Sequence, residues 1–418
     1  MFFQLASKSL LNRKGSVLLT VLAMSVSIFV LLGVEHIRSQ TKESFNSTVS
    51  GVDLVVGART GSLNLLLYSV FRIGSPTNNI DWSTYQTIAS NPKVAWAIPI
   101  SLGDSHKSYR VMGTTAGYFE YFSYGKKRQL SFTDGKPFSN VFDVVIGSEV
   151  AKKLGYSLGK KIVLAHGLGK TSFSIHDDRP FKVVGILAAT GTPVDQTIHV
   201  SLQGIEAIHI DWQQGVKIPG RTVTPEQLQS LALESKLLQP KTITAFMLGL
   251  KSRMATFRVQ RDINNYRKEP LTAILPGVAL SELWQMMGLL ENTLRLISAL
   301  ILIAALLGLS AMMLASIRER EHEIHLLRII GAPSGFLFLL IELEALLISA
   351  LSILIGTTGL YLSLLLTKNV LASNFGLHIG SQLLSGNNLT FILLVIGSTA
   401  MAAALPAFFA YKNAKLSQ

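Results

Sequence analysis

The chain has 418 residues, 49% hydrophobic and 15% charged, with a formal net charge of +13 and a mean hydropathy of +0.40. This balance excludes an ordinary soluble globular protein and indicates an integral membrane protein; the absence of cysteine removes disulfides, thiolate metal ligands and cysteine nucleophiles. Ser39 to Glu282 holds 27 Lys and Arg against 18 Asp and Glu, so most of the basic excess lies in the least apolar stretch. A basic surface there suits solvation, anionic lipid heads or acidic partners, and argues against nucleic acid.

Residues 1–15 carry Lys8, Arg13 and Lys14 and precede an uncharged run, Ser16 to Val34, read as the first membrane span. The run is longer than a signal-peptide core, and Gly33-Val34-Glu35-His36 is not a small-x-small cleavage site. Short flanks rich in Lys and Arg stay inside, which puts the N-terminus in the cytoplasm. Residues 35–282 form a stalk and a mixed α/β outer domain in which no segment is apolar enough to span. Strands are expected at 52–56, 94–100, 108–112, 142–146, 161–165, 181–187, 197–200, 242–250 and 271–274. The second and third of these join through a turn at Gly103-Asp104. Helices are expected at 82–90, 148–154 and 253–266.

Between Gly61 and Ile73, Leu63, Leu66, Leu67, Val70 and Phe71 recur at the spacing of one helix face. Two readings stand side by side: a helix in the core of the outer domain, or a greasy surface near lipid or a second subunit that handles an amphipathic substrate. Pro276-Gly277 opens a long helical pattern that runs unbroken through 283–317 as stalk and second span. Residues 35–49 could pair with it. The third span, 336–367, carries Glu342 and Glu344 near its inner end. Intramembrane carboxylates demand a partner, which water or the neighbouring charged segment can supply. A polar outer loop, 368–388, leads to the fourth span, 389–411, and a basic tail, 412–418. Short-loop positive charge then falls on one side, giving four spans with both termini inside.

The segment joining spans two and three, 318–335, alternates sign over Arg318, Glu319, Arg320, Glu321, His322 and Glu323. Ile324, Leu326, Leu327 and Ile330 then give a greasy face, and Gly331 and Pro333 stop the helix. Glu323, Ile324, Leu326, Leu327, Arg328, Gly331 and Ala332 stand in the places of an E-I-x-L-L-R-x-x-G-A core. This resembles the coupling loop of the MacB/FtsX-type ABC transporter permeases, which include macrolide exporters and lipoprotein-release permeases. The resemblance implies a membrane domain of four helices and a large α/β periplasmic domain of two subdomains, α/β porter-like and β-rich, the latter inserted at about 122–222. It also implies a separate ABC ATPase carrying ATP and Mg, with Arg318, Glu319, Arg320, Glu323, Leu327 and Arg328 as its contacts. The expected location is the bacterial inner membrane. A second permease copy, alike or related, completes the complex, with a periplasmic adaptor or substrate-binding protein as a further partner.

Motifs suggestive of chemistry do not hold up. His166 to Thr171 ends like a phosphate-binding loop, but position 164, where that loop needs Gly, is Leu. His322 and His325 are three apart, which misses the four-residue spacing of a zinc-protease helix. His166, His176, Asp177, Asp178, His199, His209 and Asp211 are scattered through the β-rich part; they could form a metal site, but lone surface histidines are the commoner case and the reading taken, so no metal set is expected, and no nucleophile elbow marks a catalytic one. The function expected is ATP-driven motion of the outer domain that exports or extracts a lipoprotein, peptide or drug. The alternative is a permease-like protein that regulates a periplasmic hydrolase or sensor without transport.

Overall fold

The computed structural model describes residues 2–48, 50–167, 178–210, 212–213, 216–217, 236–320, 326, 329–375 and 386–416. Its helices are α1 (Phe2–Asn12), α2 (Lys14–Thr48), α3 (Ser62–Leu66), α4 (Trp82–Ala89), α5 (Gly117–Tyr121), α6 (Ser148–Leu154), α7 (Leu202–His209), α8 (Thr256–Asn264), α9 (Pro276–Glu319), α10 (Ser334–Phe375) and α11 (Gly386–Leu416). Among the described residues eleven strands share one sheet. They are β1 (Leu54–Ala58), β2 (Val94–His106), β3 (Tyr109–Thr114), β4 (Phe132–Gly135), β5 (Asp143–Ile146), β6 (Lys161–Ile162), β7 (Ala165–His166), β8 (Phe181–Leu187), β9 (Thr197–Ser201), β10 (Ala245–Leu250) and β11 (Leu271–Ile274). The chain divides into two compact units, one built mainly from 1–41, 287–370 and the C-terminal helix, the other from 42–286.

Within the first unit, four helices among the described residues are long and apolar enough to cross a membrane: Lys14–Asn46, Pro276–Glu319, Gly335–Thr367 and Asn388–Phe409. Their apolar side chains meet in two layers. Val21, Met24, Leu309, Met313, Ile341 and Ala345 fill one, and Ile28, Leu32, Leu302, Leu360 and Val395 the other. Lipid tails are as apolar as these side chains, so small residues and interhelical hydrogen bonds hold the helices together. At Gly356 a Cβ would sit 2.9 Å from the Ser25 carbonyl, so α10 approaches α2 nearly at backbone distance. The Ser352 hydroxyl donates to the Val21 carbonyl at 3.3 Å, Ser310 to Ala402 at 2.9 Å and Thr399 to Ser349 at 3.2 Å.

In the second unit the strand order is β11-β1-β10-β2-β3-β9-β5-β8-β4, with β7 beside β2 and β6 beside β8. All pairings are antiparallel except β3 with β9 and β5 with β8. β1 is buried along its whole length because both of its edges are paired and both faces are covered. One face packs Val55 against Leu65, Leu66, Tyr68 and Ile98, and the other packs Val56 with Tyr85, Phe246 and Val259.

β2 is longer than the sequence suggests. It passes through Gly103 and Asp104 with a register shift between Leu102 and Ser105, and it turns only at Lys107 and Ser108. Both turn residues have positive φ, 47° and 73°. That is the primed two-residue hairpin geometry whose twist matches the strands. Gly103 therefore eases a bulge, and the expected turn there is corrected.

The apolar segment 61–73 is also resolved. Leu66, Val70 and Phe71 are buried in the core of this unit, and Leu63 and Leu67 are half-buried. The greasy-surface reading is corrected in favour of a core helix. Its second half, Leu67–Phe71, is a π-turn, and the extra residue rotates the helix so that Tyr68 and Ser69, off the ideal face, are buried as well.

Candidate functional site

The charged end of the membrane unit is organised around Glu344 on α10, whose side chain is 1% exposed. Arg13, at the break between α1 and α2, reaches one carboxylate oxygen at 3.0 Å. Arg320, the first residue past α9, reaches the other at 2.9 Å. The Ser9 hydroxyl on α1 donates to that second oxygen at 2.5 Å. A buried carboxylate held by two guanidinium groups is compensated, and it joins α1, α2, α9 and α10 through one side chain. Beside it lies a cavity of about 10 Å³, lined by Met313, Ser316, Ile317, Leu337 and Ile341, with room for about one water.

Of the six contact residues expected from the sequence, Arg318 and Glu319 end α9 and Arg320 joins this cluster. Glu323, Leu327 and Arg328 lie outside the described residues. Gly331 has φ 96°, the left-handed conformation expected of a helix stop, and α10 begins at Ser334. The sequence marks Glu344 as a carboxylate in need of a partner. That the partners come from the charged segment and from the N-terminal helix together was not visible in the sequence.

A second polar cluster joins α2 to α9 within the same unit. Arg38 bonds Glu35 at 2.5 Å and Glu291 at 3.0 Å, and Arg295 lies 3.6 Å from Glu35. Within the outer unit the last turns of α2 meet the start of α9 again. Phe45 packs against Phe71 with ring centroids 4.6 Å apart and edge-on to Trp284 at 5.8 Å, and the Lys42 ammonium lies 5.8 Å from the Trp284 ring. Ser44 reaches the carbonyl of Gly191, in a loop fixed by Asp195, whose carboxylate accepts from the backbone of Thr190 and Gly191.

The histidines are not all scattered. β7 pairs with β2 so that His166 stands opposite Asp104, and α7 brings His209 to the same carboxylate. Asp104 raises the pKa of His166, while burial lowers that of His209. His199 is fully buried on β9, stacked 5.3 Å from Tyr118, and burial with the nearby Arg72 charge lowers its pKa to about 3. It is an interior residue and not the surface group expected. Asp178 is exposed, and His176, Asp177 and Asp211 lie outside the described residues, as do 168–171 of the loop-like motif.

A helical membrane unit of four spans, with a mixed-sheet α/β unit between its first two, is the architecture of a membrane permease carrying a large periplasmic domain. Residues 17–263 match the MacB-like periplasmic core domain, and residues 295–414 match the FtsX-like permease C-terminal domain. The chain belongs to the MacB/FtsX-type ABC transporter permeases. Comparison with curated protein sequences gives no match. Among solved structures, the periplasmic region of MacB from Actinobacillus actinomycetemcomitans is similar at 12% identity and a TM-score of 0.35, over 56% of this chain and 94% of that one. The extracellular domain of the noncanonic ABC-type transporter YknZ from Gram-positive bacteria is similar at 11% identity and a TM-score of 0.31, over 53% and 99%.

Proposed function

We propose that this chain is the permease subunit of an inner-membrane ABC transporter, with both termini in the cytoplasm, that converts ATP hydrolysis by a separate ATPase into movement of its periplasmic domain. The substrate class is a lipoprotein, peptide or drug already in the periplasm or outer leaflet, and two permease copies work together. The observation that carries the reading is the Glu344 cluster. Arg320 opens the segment that family resemblance assigns to ATPase docking, and Glu344 ties it to the first and third spans. A push on that segment therefore cannot move α9 alone. Coupling of this kind needs stiff elements with discrete arrangements, and α9, continuous from Pro276 to Glu319, is one.

The test is purification of the tagged chain from detergent-solubilised membranes, with identification of what accompanies it. A soluble ATPase should co-purify with the wild type and be lost from a Glu323→Lys/Arg328→Glu variant. Recovery of the wild-type chain without any ATPase would overturn the reading.

A further inference from the structure

We propose that Asp104, His166 and His209 bind one divalent transition-metal ion of the zinc type in the periplasmic domain. The three residues come from three elements, β2, β7 and α7, and their donor atoms all lie within 4.8 Å of one another. His166 Nδ1 is 2.8 Å and His209 Nε2 3.8 Å from the same oxygen, Asp104 Oδ1. The two imidazole rings lie nearly parallel, 13° apart with centroids separated by 4.4 Å. Zinc binds imidazole nitrogen and carboxylate oxygen at about 2.0–2.2 Å, which places neighbouring tetrahedral ligands roughly 3.3 Å apart. The two separations from the carboxylate bracket that spacing; for both nitrogens to face one ion, the stacked rings must turn out of their parallel arrangement, and the partly exposed His166 is placed to do so.

A plain ion pair between Asp104 and a protonated His166 accounts for less of this. The Asp104 side chain is only 4% exposed, and its Oδ1 has both imidazoles beside it. Two imidazoles converge on that one oxygen where a pair needs one. Two histidines and one carboxylate form a common donor set for zinc and for other first-row ions, leaving coordination positions open. The support behind the ligands is built in. Gly167 N–H donates to the Gly103 carbonyl at 3.0 Å and the Ser105 hydroxyl donates to the Gly167 carbonyl, so β7 is fastened beside Asp104. The Ile205 backbone, one turn before His209 on α7, hydrogen-bonds its ring, the kind of outer contact that orients a metal-binding imidazole. The His166 side chain is 34% exposed and that of His209 27%, so an ion can enter from solvent and water can fill the open positions.

The test uses the full chain in detergent, purified on a non-histidine tag and stripped with chelator. Titration with Co²⁺ follows the visible absorption of a nitrogen and oxygen ligand field, and competition with Zn²⁺ gives the affinity. One saturable equivalent per chain is expected. His166→Ala, His209→Ala and Asp104→Asn should each weaken binding by more than the roughly 10–100-fold that loss of an outer partner causes. His166→Ala, at the most exposed of the three positions, guards against misfolding, with circular dichroism and elution volume as controls. Absence of saturable binding by the wild-type chain, or undiminished binding by a folded His166→Ala/His209→Ala variant, would overturn the proposal.

Discussion

Glu344→Ala removes the carboxylate that holds Arg13 and Arg320 and leaves two guanidinium groups facing each other in a nearly closed site. Breaking a buried pair by deleting one partner costs about 3–5 kcal/mol, because the remaining charge is uncompensated. The two arginine side chains are 12% and 15% exposed and can turn partly toward water, so the lower end, about 3 kcal/mol, applies. At about 2 °C per kcal/mol for a chain of this size, the melting temperature in detergent should fall by about 6 °C. Arg320→Ala should cost less, about 1.5 kcal/mol, since Arg13 and Ser9 still hold the carboxylate. The decisive comparison is a triple variant, Glu344→Gln with Arg13→Gln and Arg320→Gln. It removes the three charges together and should be less destabilised than Glu344→Ala alone. The assay is differential scanning fluorimetry on intrinsic tryptophan, since the chain has no cysteine for a thiol dye. A Glu344→Ala protein melting within about 1 °C of wild type, or a triple variant less stable than the single one, would refute the clamp.

Arg38→Glu would set three carboxylates together at the α2–α9 contact and should raise amide exchange along 35–46 by about 10-fold, one such step per 1.4 kcal/mol of lost pairing, read by mass spectrometry. Gly147→Ala should destabilise the outer domain by about 2 kcal/mol or more, because a Cβ there overlaps the backbone carbonyls of Asp195 and Val194, and chemical denaturation of the full chain reads it. Replacing Lys107-Ser108 by Asn-Gly supplies residues at ease with positive φ and should stabilise the same domain by about 0.5–1 kcal/mol in that assay. His199 contributes a pH dependence of known sign. Its folded pKa, about 3, lies below the ordinary value of 6.5, so the unfolded chain binds the proton first and stability falls as pH drops below 6.5. The slope from this group is at most about 1.4 kcal/mol per pH unit, and His199→Gln should remove that part of it.

The spans were legible because a run of apolar residues is unambiguous, and β8, β11 and α6 stand where alternation and capping signals put them. Where the sequence misled, a local signal competed with a stronger distant one. Gly103-Asp104 has turn chemistry, yet pairing of β2 with β3 and β7 keeps that stretch extended and moves the turn to Lys107 and Ser108, neither of which favours the positive φ it needs there. α5 and α7 were not expected; Gly117 and Gly204 dilute their patterns, and tertiary packing of Tyr118, Phe119, Leu202 and Ile208 holds them in place. The 61–73 face obeyed helical spacing at its start, and the π-turn then changed its phase. Asp104, His166 and His209 come together only through strand register and the packing of α7, so no spacing along the chain could have announced them.

β1 has its partners at 245–250 and 271–274, late in the domain, although it is among the first strands to be made. As the chain emerges across the membrane, a short and wholly apolar strand must therefore wait, with both edges open, while the rest of the sheet is synthesised. Long-range pairing of this kind is slow and leaves the nascent domain open to association with other chains. The native sheet hides this apolar strand between β10 and β11, one place in from its edge, and the hazard belongs to biogenesis: mutations that loosen β10 or β11 should show first as lost yield, before any change in the protein that is recovered.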